Sequence, residues 1–299
     1  MSAVLLGREV HDSPQWHALR ANGIGGSEIA AVVGLSPWVS RFALWHRKRG
    51  TLGPQDVNQG MDWGHRLESA VCQAWADQHP DLDVEEAGTY RHSERAWQLA
   101  NVDRLLFDGD PGTPVGLLEV KTAHQYDAHE WGRGPEDIPP YYRCQVLWYM
   151  DVLGVSEAHL AVLIGGSDYR EYVIPYAADE AEWLREEGAK FWAELQSGIA
   201  PDIDGHDATY QAVRELHPEI NGEDTELPAA LYEQFIGTKA AAEAATTEHR
   251  QIKSEVLDVM GEARRALVDK TPVLRRQPGR GGSVSLQPIP QPKSKESAA

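Results

Sequence analysis

Residues 101–122 read NVDRLLFDGDPGTPVGLLEVKT. Two apolar runs flank a turn-forming cluster of Asp108, Gly109, Asp110, Pro111 and Gly112, which is the pattern of a β-hairpin. Side chains alternate faces along a strand, so Glu119 and Lys121 share a face and Val120 points the other way. Leu117, Leu118 and Val120 make the surroundings apolar, where an ionised pair needs partners. Two readings are open at this point. Glu119 and Lys121 form a neutralising ion pair on a solvated sheet face. Alternatively they belong to a metal-dependent nuclease site, in which Asp103 and Glu119 hold a divalent cation and Lys121 positions the attacking water.

Working outward, the chain of 299 residues with 41% hydrophobic content suits one large domain or a domain with an appendage. No apolar run approaches the roughly 18 residues that cross a bilayer. The opening residues lack a basic leader followed by a long apolar segment, so a cytoplasmic protein is expected. Cys72 and Cys144 are distant in sequence and read as buried free thiols. A net charge of −18 argues against a nucleic-acid partner until its distribution is considered. Residues 1–66 carry seven basic and five acidic groups, and residues 236–299 carry eleven and seven. The acid is concentrated between, leaving both ends mildly basic.

Upstream of the hairpin, residues 22–34 read NGIGGSEIAAVVG. A glycine-rich turn, a serine and an apolar run mark a helix start, with Ser27 as the expected N-cap. Unpaired N–H groups there can receive a phosphate, with Arg20 and Arg41 on either side able to add charge-assisted bonds. The other reading is an ordinary capped helix. Residues 39–50 pattern as a basic amphipathic helix, either a solvated cationic face or a contact for a DNA backbone. Residues 60–79 pattern as a helix whose apolar stripe is Trp63, Leu67, Val71 and Ala74, with Glu68 at its edge. Residues 84–90 and 96–107 read as strands. Downstream, residues 138–153 form an apolar helix on which Gln145 and Tyr149, four apart, share a face. Strands over 158–165 and 169–175 and a helix over 177–198 complete the expected domain.

Taken in order, these features form a set: a helix with Glu68, a strand with Asp103, a strand with Glu119, Val120 and Lys121, and a helix with Gln145 and Tyr149. This order resembles the PD-(D/E)XK nuclease superfamily, and in detail its lambda-exonuclease-type branch, the YqaJ-like viral recombinases. The motifs that carry the resemblance are Gly25-Gly26-Ser27-Glu28, Gly64-His65-Arg66-Leu67-Glu68, Asn101-Val102-Asp103, Leu118-Glu119-Val120-Lys121-Thr122, and residues 142–149. The resemblance covers about residues 12–198, roughly two-thirds of the chain. Val102 stands where the family usually has proline, which leaves the ligand Asp103 in place.

The resemblance implies a restriction-endonuclease-like α/β core, a central mixed sheet flanked by helices, with a helical C-terminal extension. It implies that Asp103 and Glu119, completed by Glu68, bind Mg²⁺, or Mn²⁺ in its place. It further implies that Lys121 orients the nucleophilic water, that Gln145 positions water or phosphate, and that the Ser27 region with Arg20 receives a 5′-phosphate. Arg41 and Tyr149 are added as DNA-contact candidates. The implied activity is 5′-to-3′ resection of double-stranded DNA ends, leaving 3′ overhangs for a single-strand annealing protein, by a homo-oligomer of ring-trimer type. Two alternatives stay open: an endonuclease of the same fold, and a non-catalytic DNA-end-binding recombination protein. The expected organisation is a nuclease domain over 1–200, a linker or surface excursion over 201–226, a helical arm over 227–270 and a disordered tail over 271–299.

Overall fold

The computed structural model describes residues 3–10, 12–55, 58–110, 112–279 and 282–289. The chain divides into two compact units, 1–219 and 220–299. The first begins with β1 (Ala3–Gly7), α1 (Pro14–Arg20), β2 (Ile24–Gly25), α2 (Gly26–Val32), α3 (Arg41–Lys48) and α4 (Gln59–Gln78). Strands β3 (Asp83–Glu86), β4 (Thr89–His92), β5 (Gln98–Asn101), β6 (Arg104–Phe107) and β7 (Gly116–Ala123) follow. After a 3-10 turn over Gln125–Glu130 come α5 (Pro140–Leu153), β8 (Glu157–Ile164), β9 (Asp168–Pro175), α6 (Ala178–Ser197) and α7 (Asp207–Leu216).

Each of the two strands expected over 84–90 and 96–107 is in fact split between two sheets. Asp83 pairs with Phe107 and Glu86 with Arg104 in a five-stranded sheet, order β3-β6-β7-β8-β9. Beyond a bend, Thr89 pairs with Asn101 and Arg91 with Leu99 in a four-stranded sheet, order β1-β4-β5-β2. Gly88 sits at the bend because a Cβ there would lie 2.4 Å from the Gly7 carbonyl oxygen. Asp103 occupies the matching break on the other strand, so its side chain leaves the regular ladder where the sheets part.

The five-stranded sheet sets the site. Strands β6 and β7 form the expected hairpin, with Arg104 opposite Leu118. Strand β7 then runs parallel to β8, Glu119 opposite Leu160, so the chain must cross over between them, and α5 is that crossover. Pro140 suits the first turn of α5, and Gly154 ends it at φ +72°. All of residues 144–153 are buried, because α5 packs against α2, α6 and strands of both sheets. Leu105, Leu117, Leu160 and Val162 join its core on one face of the sheet. Leu106, Leu118, Val120 and Ala161 face the other way, against Val71, Cys72 and Trp75 of α4. The pleat therefore puts Glu119 and Lys121 on the α5 face and Glu68 on the helix across the sheet.

Three expectations need correction. The buried stripe of α4 runs through Val71, Cys72 and Trp75, while Trp63 is 54% exposed; the helix is rotated so that Glu68 lies within its sheet-facing side. Residues 207–216, expected within a linker, form α7, whose Ala212 packs with Phe42, Ala43 and Leu52, and Thr209 is buried against the Ser40 hydroxyl at 2.7 Å. In the second unit, helix α8 (Ala229–Met260) stops at Gly261, φ +50°. An antiparallel sheet of β10 (Arg265–Val268), β11 (Thr271–Pro278) and β12 (Val284–Pro288) then replaces the expected end of the arm and start of the tail. Its first turn is carried by Asp269 and Lys270 at φ +48° and +68°, the geometry of a tight hairpin. Residues 290–299 of the expected tail lie outside the described residues.

Candidate active site

Glu119, Lys121 and Gln145 form one hydrogen-bonded group beneath α5. Lys121 Nζ donates to Glu119 Oε1 at 2.5 Å. Gln145 Nε2 donates to the same oxygen at 2.6 Å and to the Tyr149 hydroxyl at 3.0 Å. The other carboxylate oxygen, Glu119 Oε2, is buried and has no hydrogen-bond partner among the described residues. Asp103 Oδ2 accepts the Val120 N–H at 2.7 Å, which brings the bend of the ribbon onto β7 between Glu119 and Lys121. The Lys121 ammonium lies 5.0 Å from the ring centroid of Tyr142, a cation–π contact that holds it without consuming a donor.

The electrostatics are those of crowded carboxylates around one ammonium. Burial, then the neighbouring Glu119 charge, pushes the Asp103 carboxyl well above the usual carboxylate range, with Lys121 opposing. Burial also raises Glu119, again opposed by Lys121. For Lys121 burial works against the charge, but Glu119 and Asp103 outweigh it and lift its pKa, so it stays protonated.

Hard oxygen donors, an orphaned buried carboxylate oxygen and a second acid held beside it fit a hard divalent cation. The third expected ligand is placed differently. Glu68 Oε1 takes Arg104 Nη1 at 3.0 Å, and among the described residues no three Asp, Glu, His or Cys side chains converge on one point. The reason is the pleat: Glu68 approaches from the α4 face and meets the cation of Arg104, the residue next to Asp103, before it reaches Glu119. Arg104 and Tyr142 are the members of this site that the sequence reading missed. Arg104 follows the expected ligand directly, and Tyr142 lies one turn ahead of Gln145; both signals are visible only once those neighbours are identified.

A second cluster surrounds the start of α2. Gly25, not Ser27, is the N-cap: its N–H donates to Glu28 Oε2 at 2.7 Å. Lys48 Nζ lies 2.8 Å from the same oxygen and Arg20 Nη2 3.1 Å from Glu28 Oε1. Burial opposes the Glu28 charge, but Lys48 and Arg20 prevail and hold its pKa at about 2. Ser27 sits inside the first turn, where its hydroxyl accepts from Arg20 Nη2 at 3.0 Å. The two clusters meet at Tyr149, since a Cβ on Gly26 would lie 2.3 Å from the Tyr149 ring. Arg41 is not drawn in. It holds the far end of α2 through the Val32 carbonyl at 2.7 Å and pairs with Glu194 at 2.9 Å. Lys48 is likewise turned inward onto the carbonyls of Arg20 and Gly23, so these α3 cations brace the fold rather than forming a solvated face.

Comparison with known proteins relates the chain and its fold to others. Residues 15–157 match the family model of the YqaJ-like viral recombinase domain. The Bacillus subtilis (strain 168) protein YqaJ is 28% identical over 257 residues, covering 83% of this chain and 78% of that protein. Protein D345L of African swine fever virus is 23% identical over 163 residues, 45% of each chain. Among solved structures, the alkaline exonuclease LHK-Exo of Laribacter hongkongensis superposes with a TM-score of 0.51 at 21% identity, covering 62% of this chain and 94% of that one. Its complex with dAMP gives the same figures. The structural likeness is one of fold, and it bears out the restriction-endonuclease-like core.

Proposed function

We propose that this chain, whose residues 15–157 match the family model of the YqaJ-like viral recombinase domain, is a Mg²⁺-dependent exonuclease. In this reading it resects linear double-stranded DNA 5′ to 3′ and leaves 3′ overhangs for a single-strand annealing protein. The observation that carries the proposal is the group of Asp103, Glu119, Lys121 and Gln145, in which a buried Glu119 oxygen has no hydrogen-bond partner among the described residues. A surface ion pair would not bury its carboxylate to 2% exposure. A DNA-binding module would gain nothing from clustered acid beside phosphates.

Asp103 and Glu119 would hold the metal ion, with Glu68 supporting the site through Arg104. Mg²⁺ bound there supplies stabilisation of charge on the attacking and leaving oxygens of an in-line displacement. Lys121, kept protonated between two carboxylates, donates hydrogen bonds that orient the attacking water. Gln145, whose amide N–H groups are spent on Glu119 and Tyr149, keeps Glu119 in one rotamer and leaves its amide oxygen to accept from the attacking water. Arg20 and Ser27 would receive the terminal 5′-phosphate, with Tyr149 setting the distance between that place and the acids. The remaining parts of the proposal are a ring-type homo-oligomer, which would favour processive digestion, and a place of action in the cytoplasm of a phage-bearing bacterium. No helix among the described residues is long and apolar enough to cross a membrane.

The test compares linear duplex carrying 5′-phosphate or 5′-hydroxyl ends with a covalently closed circle. Linear DNA is expected to be degraded and the circle left intact. Charge-assisted bonds worth about 1.5–3 kcal/mol favour the phosphorylated end, which corresponds to roughly tenfold or more in rate. Cutting of the circle would make the protein an endonuclease of the same fold. Indifference to the end group would return the start of α2 to a purely structural role.

A further inference from the structure

We propose that the C-terminal sheet β10–β12 is a second DNA contact, gripping the phosphate backbone of the duplex without reading its sequence. The proposal rests on the nuclease reading above for the identity of the ligand. It starts from where the cations of this acidic chain are spent. All 14 ion pairs among the described residues lie between residues 12 and 194. The first unit thus neutralises many of its own basic side chains, Arg41, Lys48, Arg104 and Arg143 among them.

The sheet is different. Residues 264–278 carry Arg264, Arg265, Lys270, Arg275 and Arg276 against the single acid Asp269. Among the described residues none of these five cations has an ion-pair partner within 4.0 Å. Arg265 stands directly opposite Arg275, and Arg275 opposite Gln287. Directly opposed like charges repel, so the pair is unfavourable unless an anion lies between them. By the strand period, Gln277 and Ser285, themselves cross-strand partners, share the face with Arg275. That face presents two exposed guanidiniums with neutral hydrogen-bonding side chains and no carboxylate, the donor set that contacts phosphates.

The ligand is argued to be duplex for a further reason. Single strands are held by stacking bases on aromatic rings, and residues 262–289 contain no Phe, Trp or Tyr. A face without stacking platforms can grip a backbone but not unpaired bases. Cation-only contact also predicts strong salt dependence and no sequence preference.

The experiment measures binding of a fluorescein-labelled duplex, and of the matching single strand, to the full chain in EDTA across a salt series. Arg265→Gln with Arg275→Gln is expected to weaken duplex binding on the order of tenfold or more at ~0.1 M salt, and to lower the log–log salt slope by roughly 0.9 per arginine. Arg265→Lys with Arg275→Lys should retain most of both, which separates lost charge from lost structure. Unchanged duplex affinity and slope, or a loss confined to the single strand, would overturn the proposal. Binding is read without cleavage, so the two readings fail separately. Arginine-dependent duplex binding with no Mg²⁺-dependent degradation removes the nuclease and keeps the contact. Degradation with arginine-independent binding does the reverse.

Discussion

Replacing Asp103 by asparagine is expected to abolish DNA degradation while raising thermal stability. Loss of a metal-binding carboxylate removes several kcal/mol of transition-state charge stabilisation, which corresponds to a fall on the order of 10³-fold or more. The stability change has the opposite sign for a reason visible in the structure. Burial and Glu119 lift the Asp103 carboxyl well above its ordinary range, so the folded chain binds that proton more tightly than the unfolded chain. Stability therefore falls as pH rises from the ordinary carboxylate value, about 4, through the raised folded value. Above the ordinary carboxylate range the acid is a net burden on folding, which asparagine relieves while its Oδ1 still accepts the Val120 N–H. Melting curves of the two proteins should converge at acid pH and separate as pH rises, with the variant above. A variant that melts lower at every pH would show that Asp103 serves the fold.

The second large effect is expected at Lys121. Lys121→Met removes the proton donor that orients water, and a loss of roughly 10²–10⁴ in rate is expected for a proton-handling group. Stability now moves downward. The raised pKa of Lys121 means that its contribution is fully present below the ordinary lysine value and is lost only as pH climbs through the raised one. Across the neutral range the wild type has the full benefit. The methionine variant leaves Glu119 and Asp103 facing each other without a cation, at a cost of about 3 kcal/mol for breaking a buried pair. That cost should shrink on acidification as the two carboxyls protonate. Opposite shifts in stability with a shared loss of activity distinguish a catalytic cluster from a structural one; parallel shifts would speak for the latter.

Much of this site was legible because β periodicity is rigid. Glu119 and Lys121 had to share a face; Gln145 is implied only by the family resemblance, and the structure brings it to Glu119 because the apolar helix α5 crosses back over that face. The break at Val102 and Asp103 was not legible, since the apolar run from residue 96 to 107 continues through it. Only the close approach of Gly88 to Gly7 shows why the ribbon bends there. The role of Ser27 was misread because serine is a better general N-cap than glycine, whereas here Glu28 reaches back to the Gly25 N–H and takes the capping function. On pattern alone the cations of α3 read either as a solvated face or as a DNA contact, but burial depends on partners, and Lys48 finds Glu28 while Arg41 finds Glu194. Glu68 illustrates the limit of a helical stripe. A rotation of one position moved it from the edge into the contact face, yet left it on the opposite side of the sheet from Glu119. At the C-terminus, apolar spacing at Ile252, Val256, Val259, Ala263 and Leu267 continued past Gly261, and a turn made by Asp269 and Lys270 lacks the Asn-Gly or Asp-Gly pair that announces a hairpin.

The measurement that bears most directly on the site is nucleotide release from linear duplex DNA by the full chain, first in EDTA and then after Mg²⁺ is restored. A buried carboxylate with an oxygen unpartnered among the described residues and a half-buried one beside it, flanking Lys121, predict no release in EDTA and recovery of degradation from the 5′ ends on adding Mg²⁺. Degradation that persists in EDTA, or intact DNA at every Mg²⁺ concentration, would contradict a metal-dependent nuclease site at Asp103 and Glu119.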